Sequence, residues 1–183
     1  LESAFAVAAV FAGIYFASPW LSTVVARRVP IDVERRLAPE VEHLFGRQTC
    51  ETPASRKALL ALLRRLDPAG TAPVDLRVVN LGLANAFTLP GGVVILTRGL
   101  LQEATGPDMV AGVLAHELAH VRHRHILAHM IRNAFLGAVW AVTLGDYSGL
   151  LVVDPDTAYN LATLRHSRQA ETEADTTALE MLA

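Results

Sequence analysis

The chain has 183 residues, enough for one domain with a real core and little more. Its formal net charge is -2 and no basic stripe with interleaved aromatics occurs, so a nucleic-acid partner is not expected. Cys50 is the only cysteine, which excludes an internal disulfide and reads as a small buried hydrophobe. Apolar residues make up 52%, high for a wholly soluble domain, and direct attention to membrane segments. The first residue, Leu1, and the helical character of Leu179 to Ala183 present the chain as part of a longer protein.

Ala4 to Trp20 is almost unbroken apolar sequence, and extended to Ala26 it passes the ~20 residues that span a bilayer as helix. Trp20 near its end and Arg27-Arg28 after it are interfacial anchors. Residues 1–28 are expected to be a membrane anchor, kinked or not at Pro19, with 29–183 as the globular domain. A buried amphipathic helix or a signal-peptide core is the competing reading. Arg27, Arg28, Arg35 and Arg36 point to a cytoplasmic side for that domain. Ile31 to Gly46 carries helical periodicity. Pro53 to Leu66 repeats it, with Thr52 as N-cap and Pro53 at the first helical position, and Asp67-Pro68-Ala69-Gly70 ends it. Val74 to Asn80 and Val93 to Leu96 read as strands, joined by a turn-rich connection from Asn85 to Gly92. A long helical pattern runs from Pro107 to about Thr143 with a break near Asn133. Ala134 to Leu144 is then too short to span a bilayer; with Leu150 to Val153 it touches the membrane or covers the core. A loop with Gly145, Asp146, Ser148 and Gly149 precedes a last helix from near Asp156 to the end. The fold class is α+β, mostly helical, with a small sheet beside the long central helix.

Five of the seven histidines fall between His116 and His129. On a helix, His116 and His120 lie about 40° apart on one face, one turn apart, and can reach one metal ion. Glu117 projects about 100° from His116, beside such an ion, where it can take a proton from an activated water. Zinc suits two nitrogens and one carboxylate oxygen with a fourth position left for water. Leu114, Leu118 and Val121 make the opposite face apolar, so the helix is central. A His-rich surface helix that matches HExxH by accident is the competing reading.

The third ligand must come from elsewhere. On the last helix Asp175 follows Glu171 by one turn, Ala178 by two and Leu182 by three, so the four share one stripe. That stripe is expected to point inward, with Glu171 as ligand and Asp175 hydrogen-bonded to a ligand imidazole. Glu173 falls on the opposite side with Thr177 and Glu180, a face expected to be solvated.

His116-Glu117-Leu118-Ala119-His120, followed about fifty residues later by SRQAETEAD, resembles the gluzincin peptidases of family M48. That family includes prenyl-protein CAAX proteases, HtpX-type membrane proteases and bacterial periplasmic quality-control peptidases. NAFTLPGGVVILTRGLL is similar to its segment upstream of the metal helix. The resemblance, from about Leu76 to Leu182, implies zinc held by His116, His120 and Glu171, Glu117 as catalytic base, and Asp175 as the aspartate of an ExxxD element. It implies a zinc metalloendopeptidase associated with a membrane, expected to be a bacterial cell membrane, in quality control or processing. It also implies a peptidase domain over 29–183 that continues past Ala183, where an oxyanion-stabilising residue would lie. The alternative is a catalytically silent zinc-bearing module that binds membrane clients; an intact Glu117 argues against it.

A peptidase must hold its polypeptide substrate extended, and an exposed strand edge does so through main-chain hydrogen bonds. Val93, Val94, Ile95 and Leu96 are expected to form that edge, with plain core packing as the competing role. His123 shares the ligand face and is expected to play a structural or supporting part. His125 and His129 fall on the far side as packing or surface groups. His166 is a loop residue or an aid to the oxyanion, His43 is isolated, and Arg165 and Arg168 are solvated or bind a substrate carboxylate.

Overall fold

The computed structural model describes residues 2–36, 49–145 and 167–183. His43, Arg165 and His166, the continuation of the second helix to Gly46, the loop from Asp146 to Val153 and the expected helix start near Asp156 lie outside these residues. In chain order the helices are α1 (Glu2–Arg28), α2 (Ile31–Arg35), α3 (Pro53–Leu66), α4 (Arg98–Glu103), α5 (Pro107–His123), α6 (His125–Leu144) and α7 (Arg168–Leu182). The strands are β1 (Asp75–Val79), β2 (Ala86–Leu89) and β3 (Val93–Thr97). Among the described residues, 2–29 with 127–145 make one compact unit, and 30–36, 49–126 and 167–183 make another.

In the first unit α1 and α6 are both long and apolar enough to cross a membrane. Val10, Phe16, Trp20, Trp140 and Val142 are exposed, while Phe11 and Trp140 stack with centroids 6.2 Å apart. Pro19 cannot give an N–H to the carbonyl one turn earlier. That carbonyl, of Tyr15, instead accepts from the Ser18 hydroxyl at 2.8 Å, and the helix runs on through the proline. The expected break near Asn133 is absent. The chain turns at Arg124, whose backbone is left-handed (φ 57°, ψ 36°), so Ala134 to Leu144 belongs to a 20-residue helix that is long enough to span.

The second unit is built on a sheet of order β1-β3-β2. β3 runs parallel to β1 and antiparallel to β2. A parallel neighbour needs a crossover and an antiparallel one a tight turn, and the β2–β3 turn is Pro90-Gly91-Gly92. Ala86–Leu89 therefore corrects the reading of Asn85 to Gly92 as mere connection: its first half is a strand. Side chains alternate across the sheet. Val94 and Leu96 join Leu76, Leu100, Leu114 and Leu118 in the main core. Val93 and Ile95 meet Val79, Phe87 and Leu89 on the other face. Each fully buried leucine of this core contributes about 2–3 kcal/mol by leaving water.

Gly91 and Gly92 both have positive φ, and a Cβ on Gly92 would collide with the Pro73 carbonyl oxygen. Only glycine combines that conformation with so close a backbone approach. The Gly91 N–H donates to Glu34 Oε1 at 3.0 Å, and Arg124 Nη2 lies 2.9 Å from Glu34 Oε2. This buried pair ties α2, the β2–β3 turn and the end of α5 together. Thr52 caps α3 through a reciprocal pair with Ser55. Thr97, fully buried, caps the unforeseen α4 by accepting from the Leu100 N–H at 3.2 Å. Cys50 is exposed, against the expectation of burial: its N–H extends the outer edge of β1 by donating to the Val78 carbonyl at 3.1 Å.

Candidate metal centre and active site

Helix α5 enters the core on Leu114, Ala115, Leu118 and Ala119, all fully buried. That packing fixes where the histidines between them point. His116 Nε2 and His120 Nε2 face each other at 3.0 Å. Helix α7 brings Glu171, with Oε2 at 3.4 Å from His116 Nε2 and Oε1 at 3.9 Å from His120 Nε2. The donor atoms all lie within 4.8 Å of one another. A tetrahedral ion with ligands at about 2.0–2.2 Å needs donor pairs roughly 3.3–3.5 Å apart, a value the three distances bracket.

The chemistry of the donors makes the same demand. Asp175 Oδ1 lies 2.9 Å from His116 Nδ1, which holds the imidazole proton there and turns a lone pair inward from Nε2. With the Nε2 lone pair of His120 turned inward as well, the two nitrogens and the carboxylate would repel one another, and a cation among them would relieve that repulsion. The residues fit a metal ion, with an aspartate–histidine pair orienting the first ligand.

Glu117 is 9% exposed and accepts from the Thr88 hydroxyl at 2.8 Å. The same hydroxyl lies 3.1 Å from the Glu117 carbonyl oxygen. Burial pushes the Glu117 carboxyl above the ordinary carboxylate range, a rise that the Thr88 hydrogen bond and the nearby His116 oppose and Glu171 reinforces. Thr88 reaches Glu117 because β2 alternates: Phe87 and Leu89 pack on the far face, leaving Thr88 toward α5.

Helix α7 is rotated from the expected phase. Its buried residues are Ala174, Thr177 and Ala178, a stripe centred to one side of Glu171 rather than on it. The helix therefore presents carboxylates on both flanks of its contact. Glu171 and Asp175, on one flank, serve His116 and His120. Glu173, on the other and expected on a solvated face, has Oε1 3.1 Å from His123 Nδ1 and Oε2 3.3 Å from His125 Nε2. His125 is not a far-side group: its Nδ1 lies 2.9 Å from His120 Nδ1. His123, expected to play a structural or supporting part, has Nε2 2.8 Å from Thr177 Oγ1. His129 pairs with Asn133 at 2.8 Å, on the first unit.

The substrate strand needs correction. β3 is paired on both sides, so Val93, Val94, Ile95 and Leu96 offer no edge, and all four are buried. β1 is lined on its outer side by Thr49–Glu51. Among the described residues the sheet ends at β2, the strand that carries Thr88. Beside His116 an open cleft of about 550 Å³ is walled by Gly112, Val113, Leu179 and Leu182.

Two histidines one turn apart, a carboxylate from a later helix that could join them on a metal, and a buried carboxylate beside them are the donor arrangement of the HExxH class of metallopeptidase site. The chain belongs to Peptidase family M48, whose model matches residues 56–183. It is 31% identical over 169 residues to the mitochondrial metalloendopeptidase OMA1 of Schizosaccharomyces pombe, covering 85% of this chain and 48% of that protein. It is 32% identical to a protease HtpX homolog of Desulforapulum autotrophicum, over 73% of this chain and 40% of that protein. It is 29% identical to a putative beta-barrel assembly-enhancing protease of Vibrio cholerae, over 54% and 22% respectively. The chain thus spans about half or less of the relatives it matches.

Proposed function

We propose that this chain is the catalytic part of a membrane-associated zinc metalloendopeptidase. The observation that carries the reading is Glu117, buried and held by Thr88 beside a donor set that fits a metal. Zinc on His116, His120 and Glu171 would polarise the scissile carbonyl and lower the pKa of a water. Asp175 keeps the first imidazole in its liganding tautomer. Glu117, ionised, takes the proton from the attacking water and later delivers it to the leaving amine. No side-chain nucleophile is required. A silent zinc-bearing module would have no need of a desolvated carboxylate at this point.

The outer edge of β2 is where an extended substrate strand would pair, within reach of Glu117 through Thr88. The apolar cleft beside His116 suits an apolar substrate side chain. Residues 1–28 are assigned to the membrane anchor and 29–183 to the peptidase domain. The unit boundary after residue 29 supports the limit of the anchor; α6, most of which falls in the same unit as α1, is a second apolar helix that would enter the bilayer with the anchor and so interrupt 29–183. We assign a bacterial cell membrane, in line with the HtpX relatives. Quality control or processing of proteins at the membrane is the role we propose, and one relative is named as a putative beta-barrel assembly-enhancing protease.

The test is Glu117→Gln. It should leave metal content unchanged and lower peptide cleavage by about 10²–10⁴-fold, the range for loss of a general base. Metal analysis and cleavage of an unstructured peptide are read on the same preparation, and undiminished cleavage removes Glu117 from the mechanism.

A further inference from the structure

His123, His125 and Glu173 form a second group of two imidazoles and one carboxylate, with donor atoms within 4.8 Å of one another. By composition it matches the metal centre, and it touches that centre: His125 Nδ1 lies 2.9 Å from His120 Nδ1. The protons on these rings are not independent. If His120 gives the Nε2 lone pair to a metal, its proton must sit on Nδ1. That proton points at His125 Nδ1, which must accept. His125 is then protonated on Nε2 and donates to Glu173 Oε2 at 3.3 Å. The other end of the chain has the same polarity. Thr177 Oγ1 can donate to His123 Nε2 at 2.8 Å, which places the His123 proton on Nδ1, facing Glu173 Oε1 at 3.1 Å. The two halves meet at one carboxylate, which receives a hydrogen bond on each oxygen.

A metal on the second group demands the reverse. His125 Nε2 would have to offer a lone pair, so Nδ1 would carry the proton and donate to His120. His120 would then hold its own proton on Nε2, where it cannot ligate. With neutral imidazoles the two groups exclude each other as metal sites.

We propose that His125 and Glu173 are positioning residues for the metal ligand His120, forming a metal–His120–His125–Glu173 chain buttressed by His123 and Thr177, and that this second group is not a metal site. The chain does for His120 what Asp175 does for His116, through one additional imidazole. It locks the ring's orientation inside the core and lends it the electron density of a carboxylate, which raises its basicity toward the metal. The inference rests on the metal reading of the first group.

The test uses the full chain and Zn²⁺ in competition with a chromophoric chelator. Wild type should bind one zinc per chain; if it binds none, the metal reading itself fails. Glu173→Gln and His125→Ala should each weaken zinc binding by about 10–100-fold, the usual cost of losing such a partner. His125→Gln, whose amide can both accept from His120 and donate to Glu173, should recover part of that loss. Glu180→Gln, on an exposed position of the same helix, should change nothing. Equal thermal unfolding of the metal-free variants separates lost positioning from lost folding. Nitrogen-15 shifts of the zinc-loaded wild type give a readout without mutation: His120 should be the Nδ1–H tautomer and His125 the Nε2–H tautomer. The proposal is overturned by the opposite tautomer at His125, by unchanged zinc affinity in both variants, or by a second zinc that Glu173→Gln removes.

Discussion

The two His–His–Glu groups of this protein have the same composition and each draws its carboxylate from α7, yet the hydrogen bonds behind their donors differ. In the group of His116, His120 and Glu171 the outer ring nitrogens face Asp175 and His125, the arrangement in which the proposed metal would meet lone pairs on the inner ones. In the group of His123, His125 and Glu173 each carboxylate oxygen faces a different ring, and each ring's far nitrogen is occupied by Thr177 or by His120. A donor list does not make a metal site; the hydrogen bonds behind the donors decide whether lone pairs or protons point inward.

The sharpest way to break this comparison is to remove one carboxylate at a time. Glu171→Ala deletes a ligand and should weaken zinc binding by more than the roughly 10–100-fold expected for loss of a supporting group at Glu173. Chelator competition at one pH orders the two variants. The reverse order would exchange the roles of the two groups.

A smaller effect, shared by both groups, is expected from the helix contact between them. Ala174 and Ala178 are small and buried, and they let α7 approach α5 closely enough for carboxylates on both flanks to reach imidazoles. Ala174→Leu inserts a branched side chain into a filled space and should cost about 1–3 kcal/mol of stability. Because both flanks move together, zinc affinity should fall as well. A denaturation curve and a zinc titration of the same variant check both expectations, and lost stability with unchanged zinc binding would uncouple the contact from the site.

The smallest effect expected is a displacement of the pH profile. Glu117 works ionised, so activity is present above its pKa and disappears as pH falls through it. Burial raises that pKa, and the Thr88 hydroxyl, by hydrogen bonding to the carboxylate, lowers it. Thr88→Val removes the lowering influence and should move the acid limb of kcat/KM to higher pH while metal content stays the same. A limb that moves to lower pH would contradict the assignment of Glu117 as the base.

Much of this was legible in the residues. The HExxH spacing put His116 and His120 on one face because helical geometry leaves them no other relation, and Glu171 and Asp175, one turn apart, both come to His116 although the helix is rotated from the expected phase. Thr52-Pro53 announced α3 by capping chemistry that is wholly local. What was not legible depends on partners far along the chain. Ala86-Phe87-Thr88-Leu89 is too short and too close to Pro90-Gly91-Gly92 to read as a strand, and becomes one by pairing with β3. Arg124 ends α5 in a left-handed turn that no periodicity marks, against the pair it makes with Glu34 from the other end of the unit's sequence. Glu173 read as solvated because α7 was phased on its acids. The small residues Ala174, Thr177 and Ala178 are what pack, and a stripe of alanine and threonine carries little hydrophobic signal. Val93 to Leu96 was expected as an edge because a peptidase needs one, whereas the turn at Gly91 and Gly92 brings β2 back against it and leaves it in the centre.

Gly92 is no part of the candidate metal centre, yet it is a position where inheritance has little room. Any other residue there would drive a β-carbon into the Pro73 carbonyl oxygen, and the turn between β2 and β3 would have to open. Opening it would slide β2 along β3, and a slip of a single residue would turn Thr88 to the opposite face of the sheet. A lineage that lost this glycine would keep every ligand and its base in the gene, and still lose the hydroxyl that holds the base in place.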